Sequence, residues 1–112
     1  MRIYHNPRCS KSRETLKLIQ DAGIDPEIVD YLNDVPSAKE LTGLIKLLRI
    51  APEELVRKGE EEYKSLFKGK DMTDEQWIEA MVNHPKLIER PIVTSNKKAV
   101  IGRPPEKVRE LF

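Results

Sequence analysis

Apolar and polar positions along the chain fall into stretches of different period. Arg2–His5 forms a short run of strand type, and Glu27-Ile28-Val29-Asp30-Tyr31 alternates as a second strand. Between them Leu16, Ile19 and Ala22 recur at helical spacing, which predicts a helix from about Ser10 to Ala22. Gly23 is placed to end that helix as a left-handed residue, and Pro26 blocks its continuation. Strand, helix and strand at this spacing predict a right-handed βαβ unit.

The middle of the chain has helical spacing throughout. Ser37 with Glu40 forms a capping-box pattern, and Leu41, Leu44, Ile45 and Leu48 follow as one apolar stripe. Pro52 is suited to open a short helix through about Val56. A weaker helical stretch runs from Glu60 to Phe67. Thr73 and Gln76 make a second capping-box pattern, with Trp77, Ile78, Met81 and Val82 expected as the buried face of its helix.

Strand patterns return in Pro91–Thr94 and Lys98–Ile101, joined by Ser95-Asn96-Lys97 as a hairpin connection and closed by Gly102. Pro104-Pro105 then opens a terminal helix over Glu106–Phe112. The expected fold is α/β: a four-stranded mixed sheet in βαβ–ββα order, with a helical insertion at about residues 37–87. A length of 112 residues suits one domain over residues 1–112.

Charge narrows the range of functions. Twenty basic and 19 acidic residues give a net charge of +1, which argues against a nucleic-acid or membrane-surface protein. No apolar run approaches a membrane span and the N-terminus has no signal-peptide pattern, so a cytoplasmic protein is expected. The single cysteine cannot form an internal disulfide, and it excludes a zinc site built from several thiolates.

That cysteine is the main chemical feature. Cys9 lies between the first strand and the first helical turn, flanked by Asn6, Arg8, Ser10, Lys11, Ser12 and Arg13. Backbone N–H groups and the helix dipole at such a place stabilise a thiolate and also make an anion pocket. Ser12, three residues on, could cap the thiolate or simply the helix. His5 could tune the thiolate or hydrogen-bond the loop, whereas His84, before Pro85, reads as a helix cap. Arg90 and Arg103 each precede a proline at a strand edge of the same hairpin, where two guanidinium groups could converge on a tetrahedral oxyanion. The Arg90-Pro91 bond is also a place where a cis peptide could shape a site.

These segments together resemble the glutaredoxin-linked arsenate reductase family. The resemblance runs through Ile3–Leu16, Leu55-Val56-Arg57-Lys58, Glu89-Arg90-Pro91-Ile92-Val93 and Ile101-Gly102-Arg103-Pro104-Pro105. It implies a thioredoxin-like fold with a helical insertion, Cys9 as nucleophile, and Arg57, Arg90 and Arg103 as ligands of the arsenic oxyanion. Arg57 enters only through this resemblance. His5 and Ser12 match residues that tune the thiolate. The implied partners are arsenate, glutathione and glutaredoxin, with no metal and no bound organic cofactor, and a monomer is expected. Two alternatives share the fold. One is a glutathione-dependent thiol reductase with another substrate. The other is an Spx-type regulator that binds RNA polymerase, whose two-cysteine switch would need a cysteine where this chain has Ser12.

Overall fold

The computed structural model describes residues 1–112. It contains two compact units. One is built from Met1–Asp34 and Arg90–Phe112, and the other is Val35–Glu89.

The first unit holds the sheet. Strand β1 (Arg2–His5) is followed by helix α1 (Ser10–Asp21) and strand β2 (Glu27–Asp30), and β3 (Ile92–Ser95) and β4 (Lys98–Ile101) come from the far end of the chain. The order is β2-β1-β3-β4. Strand β1 pairs with β2 in parallel, with His5 opposite Asp30, and with β3 antiparallel, with Tyr4 opposite Ile92. Strands β3 and β4 form the expected antiparallel hairpin, with Ser95 opposite Lys98. Asn96 takes the left-handed conformation in its turn, which asparagine tolerates.

Ile3, Ile19, Val93 and Val108 form the buried centre of this unit, with Leu16, Leu18, Val100 and Leu111 packed against it. Burying such side chains contributes about 1.5–3 kcal/mol each before entropy is counted. Strand β2 lies at the sheet edge, and Ile28 is largely exposed there. Helix α1 ends in a Schellman arrangement: Gly23, with φ +80°, donates to Gln20 and Ile24 donates to Ile19.

One strand end in this unit differs from the sequence pattern, and two details add to it. The buried face of α1 is Ser12, Thr15 and Ile19, and Ala22 is exposed. Its first half therefore presents small polar side chains to the interior, and Gly102 approaches closely there. Tyr31 lies just beyond β2, yet it is fully buried. The terminal segment Pro105–Leu111 is a 3-10 helix. Pro105, Val108 and Leu111, the residues it turns inward, are spaced by three, which a 3-10 helix brings onto one line. The Arg90-Pro91 and Arg103-Pro104 bonds are both cis.

The second unit is helical. Helix α2 (Ala38–Leu48) starts at Ser37, whose hydroxyl accepts the Glu40 N–H at 3.1 Å. A 3-10 turn (Pro52–Leu55) and helix α3 (Glu61–Leu66) follow. Helix α4 (Asp74–Asn83) begins with a reciprocal capping box between Thr73 and Gln76. Its buried face is Trp77, Ala80 and Met81; Ile78 and Val82, expected inside, are only partly covered. Leu41, Leu44, Ile45, Leu55, Val56, Leu87 and Ile88 complete the buried apolar set of this unit. His84 ends α4 as its cap residue, as expected, with its ring against Phe67.

Candidate active site

Cys9 occupies the N-cap position of α1, with extended backbone at φ −94° and ψ 123°. The preceding loop is tied locally. The Cys9 N–H donates to the Asn6 carbonyl at 3.0 Å, and the Arg8 N–H donates to the Asn6 side chain at 3.0 Å. The Arg13 guanidinium closes the loop on the Pro7 carbonyl at 3.0 Å. The thiol stays partly accessible, which a nucleophile needs.

Burial alone would raise the Cys9 pKa, but the net effect is downward from the ordinary value of 9.0. The Ser12 N–H, third in the helix, is the foremost lowering influence, although Cys9 makes no capping hydrogen bond of normal geometry. The Arg90 guanidinium and the positive charges of Arg103 and Arg90 add to it. Arg103 Nη2 lies 3.4 Å from Cys9 Sγ, while its Nε donates to the Arg90 carbonyl at 2.7 Å. One arginine therefore holds the strand beside it and faces the sulfur at the same time. The convergence expected of Arg90 and Arg103 is present at Cys9.

Ser12 is buried, and its hydroxyl serves neither the helix end nor the sulfur. It lies 2.6 Å from His5 Nδ1 and accepts the Asn6 N–H at 3.0 Å. Its backbone reaches the thiolate and its side chain organises the loop. His5 is also buried, and its pKa is lowered by burial against the raising influence of Asp30, with the Arg13 charge lowering it further. A neutral His5 can accept the Ser12 O–H at Nδ1, which satisfies the hydroxyl as both donor and acceptor. Of the two roles open to His5 in the sequence, the structure favours the hydrogen-bonded loop.

Arg57 belongs to the helical unit. Its guanidinium meets Glu89 at 3.1 Å and Glu60 at 3.4 Å, and its N–H donates to the Leu87 carbonyl at 2.7 Å. Tyr31 was not singled out by sequence. It is 1% exposed, and Arg90, Asn6 and Cys9 all influence its hydroxyl. The strand pattern places Tyr31 at a strand end but carries no sign that it meets the cysteine loop.

The mixed sheet, with a cysteine at a helix start and two arginines beside it, defines a thioredoxin-like domain whose cysteine lies in basic surroundings. Residues 4–111 match the ArsC family, and the chain belongs to that family. An Escherichia coli K12 protein, YfgD, is 50% identical over 113 residues, covering 99% of this chain and 95% of YfgD. An arsenate reductase of Haemophilus influenzae is 47% identical over 112 residues, covering 98% and 97% of the two chains. The solved structure of an arsenate reductase from Vibrio cholerae superposes with a TM-score of 0.96 at 48% identity, covering 99% and 96%.

Proposed function

We propose that this protein reduces arsenate to arsenite, with Cys9 as the nucleophile. The observation that carries the reading is the Cys9 sulfur with an Arg103 nitrogen 3.4 Å away and Arg90 beside it, cations that draw its pKa below the ordinary thiol value. The names of the relatives supply the substrate. The resemblance makes Arg57 the proposed third oxyanion ligand; its guanidinium is paired with Glu60 and Glu89.

The chemistry follows from the charges. The Cys9 thiolate attacks arsenic in dihydrogen arsenate. With one proton taken up, water leaves and a monoanionic thiol–arsenic(V) adduct remains. The arginines and the start of α1 neutralise charge on the arsenic oxygens during attack. Glutathione sulfur then attacks Cys9 sulfur. The sulfur–arsenic bond breaks with its electron pair passing to arsenic, dihydrogen arsenite leaves, and a Cys9–glutathione disulfide remains. Glutaredoxin with further glutathione returns Cys9 to the thiol by exchange. One cysteine suffices, because the second thiol comes from solution. His5 and Ser12 act as positioning residues that hold the Asn6–Cys9 loop. The reading uses no resident metal or organic cofactor, and it places a monomeric enzyme in the cytoplasm. No helix is long and apolar enough to cross a membrane.

The test is a coupled assay with glutathione, glutaredoxin and an NADPH-linked glutathione readout, with arsenate added or withheld. Arsenate-dependent turnover is expected, and its loss in folded Cys9→Ser. Turnover independent of arsenate would favour the thiol-reductase alternative, and activity in Cys9→Ser would place the nucleophile elsewhere.

A further inference from the structure

Tyr31 is an unusual residue for its position. Its side chain is almost wholly buried at 1% exposure, and its hydroxyl oxygen is buried with no hydrogen bond of normal geometry, although Arg90 and Asn6 lie close enough to donate toward it and no acceptor faces its proton. Buried phenols ordinarily find a partner, because leaving one unpaired forfeits its hydration. The surroundings of this hydroxyl are not apolar. The Arg90 guanidinium and the Asn6 side chain face it, and the Cys9 charge is near enough to act on it. The unsatisfied group therefore points into the cluster that holds the thiolate.

We propose that Tyr31 is a further substrate-binding residue, its phenolic O–H being the neutral donor to one oxygen of a tetrahedral oxyanion held before Cys9 by Arg90 and Arg103. The inference rests on the oxyanion reading of the site given above. An oxygen seated between Arg90 and Tyr31 would supply the acceptor that the free protein does not give this hydroxyl. A site whose buried polar group is completed only by ligand discriminates strongly against ligands that leave it unpaired.

A neutral donor suits this position. Burial raises the Tyr31 pKa above its ordinary value of 10.0, against the lowering influence of Arg90 and Asn6, so the proton stays on the phenol at neutral pH. A third cation here would lower the Cys9 pKa further and with it the intrinsic nucleophilicity of the sulfur. A phenol adds a hydrogen bond to the bound anion without that penalty. The role also accounts for a tyrosine, rather than a phenylalanine, at a fully buried place immediately after an edge strand.

The experiment compares wild type with Tyr31→Phe, which removes the hydroxyl and keeps the ring. Cys9 is alkylated with iodoacetamide in the presence of arsenate, phosphate or sulfate, and the concentration giving half-protection is read. Half-protection by at least one of these anions should need about tenfold more anion in Tyr31→Phe, the effect expected for one hydrogen bond to a charged group. Without anion, the pH profile of alkylation should coincide in the two proteins, and the melting temperature of the variant should equal or exceed that of wild type. A structural hydroxyl would instead lower the melting temperature and leave half-protection unchanged, which overturns the inference. So does the absence of protection of wild type by any of the three anions. Protection that depends on Tyr31 without arsenate turnover would remove arsenate as substrate and leave the donor role standing. Turnover with equal protection in both proteins would do the reverse. Should Tyr31→Phe fail to fold, wild type labelled at the tyrosine ζ carbons gives a second reading. The Tyr31 phenolic carbon should shift on addition of a protecting anion, and an unmoved resonance overturns the inference.

Discussion

At the scale of single residues, the chemistry of Cys9 is a contest between desolvation and local positive potential. Burial works against the thiolate, while the Ser12 N–H, Arg90 and Arg103 favour it and prevail. Arg103 is the clearest contributor to isolate, because its Nη2 is 3.4 Å from the sulfur. Replacing it by alanine removes a charge and a donor together. The pH midpoint of Cys9 alkylation should move up toward the ordinary thiol value of 9.0 in Arg103→Ala, measured by iodoacetamide rates between pH 5 and 10. An unmoved midpoint would mean that the helix start and Arg90 set the thiolate without Arg103. Much of this was legible in the sequence. A cysteine between a strand and a helix announces itself, and Arg90 and Arg103 could be placed at strand edges before prolines. Arg57 could be found only by resemblance. Tyr31 was missed because a strand pattern reports which way a side chain alternates, not which loop it meets.

At the scale of elements, the sequence read strand and helix periods well and read depth less well. Ala22 shares the apolar spacing of Leu16 and Ile19 yet is exposed, while Ser12 and Thr15 are buried. The reason is a contact between distant segments that no local period encodes. Gly102, at the end of β4, approaches α1 so closely that an added Cβ would stand 2.5 Å from Thr15 Oγ1 and 2.9 Å from Pro91 Cγ. The backbone there needs a small residue for space, since Gly102 has no positive φ. The terminal segment shows the same limit: spacing by three at Pro105, Val108 and Leu111 suits an α-helix or a 3-10 helix from sequence alone. Gly102→Ala should therefore lower stability by about 1–3 kcal/mol, as overpacking does. In the double variant with Thr15→Ala, the loss should be smaller than the sum of the two single losses by at least about 0.5 kcal/mol. Urea midpoints of the four proteins measure this, and simple additivity would show that Thr15 is not the limiting contact.

At the scale of the whole molecule, the balance of 20 basic and 19 acidic residues keeps general charge repulsion small near neutrality. The pH dependence of stability there falls to individual buried groups, and His5 is the one whose ordinary value of 6.5 lies in that range and is shifted. Its pKa is lowered in the folded protein, chiefly by burial. The unfolded chain therefore takes up a proton at His5 before the folded one does. Its contribution is fully present above pH 6.5 and is lost progressively as pH falls through the lower folded value. One proton limits the slope to about 1.4 kcal/mol per pH unit. Cys9 acts with the same sign in a higher window, since its lowered pKa adds stability as pH rises toward 9.0. Protonating His5 also disturbs the fold locally, because a charged ring cannot accept the Ser12 hydroxyl at Nδ1, and that hydroxyl also holds the Asn6 N–H. Urea unfolding followed through the tyrosine fluorescence of Tyr4 and Tyr31 in a Trp77→Phe background should show stability falling from pH 6.5 to 5. His5→Gln, which cannot titrate, should flatten that part of the profile even if it lowers stability overall. A profile with His5 present that is level or rises on acidification over this interval would show that the buried histidine does not govern acid sensitivity. Equal slopes in the two proteins would assign the loss to the carboxylates instead.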